Sequence, residues 1–136
     1  MSAATQEPAA AGVTWDLSAL FSGIDDPKID QTWATMHERA GAFAEKYRGK
    51  IESGSLSPVE LAQAIKELED ITSEGGKPLN FGHLLFAADT ANEEIAAFMQ
   101  SQMEKSSELR VKLMFFELEL LKAPQDYIDS CLGDPR

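Results

Sequence analysis

The chain has 136 residues, 12 of them Lys or Arg and 23 Asp or Glu, for a formal net charge of −11, a balance that repels phosphate backbones and excludes nucleic acid as the expected partner. No stretch approaches the roughly 18 apolar residues of a membrane span, and the opening "MSAATQEPAAAG" lacks the basic and apolar regions of a signal peptide, so the expectation is a cytoplasmic protein with no membrane contact. The length suits one domain, and Cys131, the single cysteine, can form no intrachain disulfide.

Residues 1–13 are small, polar and proline-containing, and read as a disordered leader with too little apolar area to offset the entropy of ordering. A helical domain is expected over 14–136. From Pro27 the apolar positions Ile29, Trp33, Met36, Ala40, Phe43 and Tyr47 alternate in steps of four and three, the period of one helical face. Asp25 or Asp26 can cap this helix, and Gly49 suits the residue just past its end. Ser57, Pro58 and Glu60 spell an N-cap, a proline at N1 and a capping box, with Leu56 and Leu61 placed as a hydrophobic staple. The face of this second helix is expected along Leu61, Ile65, Leu68 and Ile71.

The segment "SEGGKP" predicts a break, because two glycines and a proline disfavour a continuing helix. A third, short helix is expected from Pro78 to about Ala88, apolar nearly all round through Phe81, Leu84, Leu85 and Phe86. Thr90 and Glu93 form another box, opening a long helix over about 91–122 that stops before Ala123 and Pro124. Its stripe runs Ile95, Met99, Gln102, Ser106, Leu109, Leu113, Phe116 and Leu120, with a polar middle. A coiled-coil seam could have this spacing, but short connections favour an antiparallel neighbour. A last short helix is expected near 125–131, and no strand pattern competes. The fold class is therefore all-α, an antiparallel helical bundle of four to five helices, one of them long.

The chemistry-bearing motifs are incomplete. "HERAG", residues 37–41, has the His37 and Glu38 of a zinc-peptidase H-E-x-x-H, but Gly41 stands where the second histidine belongs. A site of two histidines and a carboxylate would have to join His37 to His83, the only other histidine, and the ordinary reading is a boundary histidine at 37 and a packed or hydrogen-bonded one at 83. The carboxylates Glu67 and Asp70, and Glu117 and Glu119, lie in mixed runs expected to be solvated helix faces. "EGGKP" lacks the first glycine and preceding strand of a phosphate-binding loop, and no serine stands in G-x-S-x-G. No catalytic, cofactor-binding or metal-ligating residue is assigned.

Four segments carry a resemblance. "TWDLSALFSGIDDPKI" at 14–29 resembles the opening of the oligoendopeptidase F family of zinc metallopeptidases, and "AEKYRGKI" at 44–51, "LLFAADT" at 84–90 and "FFELEL" at 115–120 are similar to later blocks of that family's N-terminal part. The resemblance implies a longer, almost wholly helical parent enzyme that hydrolyses short peptides in an internal cleft, with zinc held by a downstream H-E-x-x-H and a more distant glutamate. No zinc ligand falls on this chain, whose helices are expected to form part of the cleft wall. The ending "DYIDSCLGDPR" is expected to be a truncation point, with the remainder of the peptidase as natural partner. Within "LMFFELELL", Leu113, Phe116 and Leu120 form one stripe and Phe115 and Leu118 lie beside it, a candidate interface for that remainder or for self-association of the fragment. The remaining reading is a free-standing helical interaction module.

Overall fold

The computed structural model describes residues 16–133, so the expected leader and the start near Thr14 lie outside the described residues. Four helices follow a turn-rich entry: α1 (Pro27–Tyr47), α2 (Pro58–Ala88), α3 (Glu93–Lys122) and α4 (Gln125–Leu132). No strand occurs among the described residues. The all-α class holds, with four helices among the described residues where four to five were expected.

The entry segment is pinned by Asp26. Its carboxylate accepts from the Lys28 amide at 2.9 Å as the α1 N-cap and from the Ser22 amide at 2.9 Å, and these bonds hold its pKa below the usual carboxylate value. Phe21 thereby reaches Phe81 edge-on, with ring centroids 5.4 Å apart. All six expected residues of the α1 face are buried. At its end Gly49 takes φ +82°, a left-handed conformation that a side chain would strain. The capping box forms as expected: the Glu60 amide donates to Ser57 Oγ at 3.2 Å and the Ser57 amide to Glu60 Oε2 at 2.7 Å. Leu56 and Leu61 are both buried beneath it.

The predicted break at "SEGGKP" does not occur, because α2 runs unbroken through Gly75, Gly76 and Pro78. Interior Gly and Pro cost about 1 and 3 kcal/mol each, roughly 5 kcal/mol in all, so packing must supply the difference. It does so on the buried side of the same stretch, where Ile71, Gly75, Pro78, Phe81 and Gly82 face the core. Gly75 is required there by close approach: a Cβ on it would lie 2.5 Å from Leu109 Cδ2 and 3.6 Å from Met36 Cγ, at the level where the three long helices converge. The buried stripe of α2 also passes through Ala64 instead of Ile65, which is 39 % exposed.

Side-chain pairs fix the directions. Met36 opposes Gly75, and Lys46 opposes Glu67, so α1 and α2 are antiparallel. Gly75 opposes Leu109, and Gly82 opposes Met99, so α2 and α3 are antiparallel too. α1 and α3 consequently run parallel, joined by Phe43 against Phe116 and by the buried Trp33 Nε1 donating to Gln102 Oε1 at 2.7 Å. That bond satisfies the polar middle of the α3 stripe. The α3 N-cap is Asn92, not Thr90: its Oδ1 accepts from the Glu94 and Ile95 amides at 3.0 and 3.2 Å. α4 packs on α2, with the Tyr127 ring over Gly54.

The glycine pair gives opposite expectations at adjacent positions. Gly76→Ala meets only the Asn80 side chain, at an ordinary contact distance of 3.8 Å, and should stabilise by about 0.5–1 kcal/mol through helix propensity. Gly75→Ala should destabilise by about 1–2 kcal/mol, because buried Leu109 must give way against Met36. Urea unfolding of both variants checks this; midpoints moving in the same direction would contradict the close-packing account.

Candidate functional site

His37 sits half-buried on α1, its ring 6.3 Å from that of Trp33 and close to Lys112 and Glu108 of α3. Burial holds its pKa below the ordinary 6.5; the positive charge of Lys112 adds to this and Glu108 opposes it. Glu38 and Gly41 are exposed, and nothing lies within 4 Å of the Cβ position at Gly41. His83 is exposed on α2, which corrects the expectation of a packed histidine. Its neighbour Gly82 abuts Met99, whereas His37 lies level with Glu108, nine residues or about 13 Å further along α3. The two rings are therefore held at different levels of the bundle. Among the described residues no group of three or more His, Cys, Asp or Glu side chains is gathered to hold a metal ion.

The carboxylates divide by environment. Glu67 accepts from Lys46 Nζ at 2.9 Å and from the Tyr47 hydroxyl at 3.0 Å; partial burial pushes its pKa up, but these bonds outweigh it and hold it down. Asp70 and Glu117 are exposed, as expected of solvated faces. Glu119 is not: it is 6 % exposed, and its Oε1 accepts from the Gly49 amide at 2.8 Å and the Glu52 amide at 3.2 Å. One carboxylate of α3 thus gathers the loop that leaves α1. Arg48 stacks over Phe115 at 5.1 Å beside it. The only sequence signal for this role is position, since Glu119 follows the buried Phe116 by three residues.

The five residues of the candidate interface separate. Leu113 and Phe116 lie in the core, and Phe115 and Leu120 pack against it part-buried. Only Leu118, 50 % exposed, faces outward. It belongs instead to a second apolar stripe of α3 that periodicity could have revealed: Met103, Met114, Leu118 and Leu121, with Val111 alongside, all exposed. Next to this stripe an open cleft of about 440 Å³ runs between α2 and α3. Leu68, Leu109 and Leu113 form its apolar wall, Gly75 and Gly76 leave the room, and Arg110 and Glu117 flank it. Thr72, Ser106 and the carboxylate of Glu117 are its hydroxyl and acidic groups, and no histidine or cysteine lines it.

His37 makes a pH prediction. Folding favours its neutral form, so as pH falls the unfolded chain takes up this proton first, and the native state loses stability below the ordinary imidazole pKa. The unfolding free energy of the wild type minus that of His37→Gln should therefore decrease between about pH 7.5 and pH 5.5. A difference that is flat or rises on acidification would contradict the assignment.

No family model, no curated protein and no solved structure matches the chain.

Proposed function

We propose that this chain is the non-catalytic N-terminal helical domain of a zinc-dependent oligoendopeptidase of the F family, a cytoplasmic enzyme that cleaves short peptides. In this reading its helices form part of the substrate-cleft wall, and zinc and its ligands belong to a downstream segment. What supports the reading is the meeting of two of the four family-like segments. Residues 44–51 carry Gly49, and residues 115–120 carry Glu119, whose carboxylate receives the Gly49 amide. A third, 14–29, supplies Phe21 and the Asp26 cap. These segments therefore have a common physical reason: they close and brace a helical wall, and none of them requires a catalytic group. A second reading, a free-standing acidic helical interaction module, draws on the uncovered α2–α3 face.

The test is the intact mass of the native gene's product, measured beside zinc content and quenched-peptide hydrolysis of the 136-residue chain. The proposal expects a product several times heavier, and a short chain with neither bound zinc nor hydrolysis. A native product ending at Arg136, or peptide hydrolysis by the short chain, would overturn it.

A further inference from the structure

The outer face of α2 and α3 differs from the rest of the molecule in charge. The chain carries −11, yet the lining of its cleft holds one cation and one anion, Arg110 and Glu117, around an apolar centre. Val111 is 67 %, Met114 42 %, Leu118 50 % and Leu121 84 % exposed. Neither Arg110 nor Glu117 has an ion-pair partner among the described residues. Two residues of opposite sign, seven apart on one helix face, make a surface that discriminates between orientations of its own copy.

We propose that this face is a homodimer interface, in which α3 packs antiparallel against α3 of a second copy about a two-fold axis at Met114. In that register residue 110 lies level with residue 118 of the other copy, so Arg110 is offset from the other Glu117 by one residue, about 1.5 Å along the axis. The two-fold sets the α2 flank of one copy on the same side as the α2 flank of the other. Arg110 and Glu117 both line that flank, so two reciprocal Arg–Glu pairs form. Met114 meets its own counterpart, and Leu118 covers the methylenes of the opposite Arg110. A parallel arrangement would instead set the two α2 flanks on opposite sides of the pair, so Arg110 and Glu117 would face no opposite charge of this pair. The cleft between α2 and α3 then becomes the centre of a four-helix packing of two α2 and two α3 helices. Isologous closure covers the apolar stripe on both copies at once.

The proposal is independent of the peptidase reading: its failure leaves the native-mass result untouched. Sedimentation equilibrium of the full chain should give a concentration-dependent mass approaching twice the 14.9 kDa of one chain. Arg110→Glu and Glu117→Arg should each weaken dimerisation at least about tenfold, and the two together should restore it to within about threefold, because the swapped pair is again complementary. Leu121→Asp, at an exposed position, should weaken it without changing the far-UV spectrum or the melting of the monomer. A chain that stays monomeric up to about 1 mM, where even weak association registers, would overturn the proposal. So would a double charge swap that associates no better than either single variant.

Discussion

The carboxylate of Glu119 is the joint on which the bundle closes. Parallel helices cannot be joined by a short loop, so α1 and α3 depend on side chains to stay together. Near one end they have Trp33 and Gln102, and at the other Phe43 packs on Phe115 and Phe116. Between that aromatic cluster and solvent, the chain must turn from α1 toward α2, and the turn exposes backbone amides at Gly49 and Glu52. Glu119 accepts from both. Without it, two partly buried donors would lack partners, at a cost of about 1–3 kcal/mol each. A neutral hydrogen bond would hold the loop less firmly, since an ionised acceptor is worth roughly twice as much.

The other end of the same logic is the close approach at Gly75. Helix α2 keeps its course through two glycines and a proline because the missing side chain admits Leu109 and Met36 to the core. The cost is an α2 surface with little to cover α3 from outside. There the second stripe of α3 stays in water, and the cleft opens beside it. The domain thus builds its core on one face of a long helix and leaves a second apolar face of that helix exposed.

Much of this was legible in the sequence. The α1 face, the Ser57 capping box, the end of α3 at Lys122 and the short last helix follow from period and cap chemistry, which are local. The misses share a different cause. "SEGGKP" has every local signal of a break, and only the arrival of Leu109 from 34 positions away makes Gly75 a packing residue. Ala64 takes the buried place expected of Ile65, a one-residue shift of the stripe that periodicity alone leaves open. Asn92 outcompetes Thr90 for the α3 cap by reaching two amides. Glu119 reads as one more surface acid until the loop it anchors is in place. Leu113 and Phe116 are buried on the expected α3 stripe, whereas "LMFFELELL" is apolar on several sides, and the sequence alone does not say which of them stays uncovered.

The account makes Glu119 a fixed part of the fold and not a solvated surface charge, and amide hydrogen exchange tests this directly. The Gly49 and Glu52 amides should exchange as slowly as amides in the middle of α1 and lose that protection together in Glu119→Ala, while the core of α2 keeps its own. Exchange of both amides in the wild-type chain as fast as at the exposed Ser53 would mean that the loop is free in solution. The bundle would then close without the joint that unites the two segments.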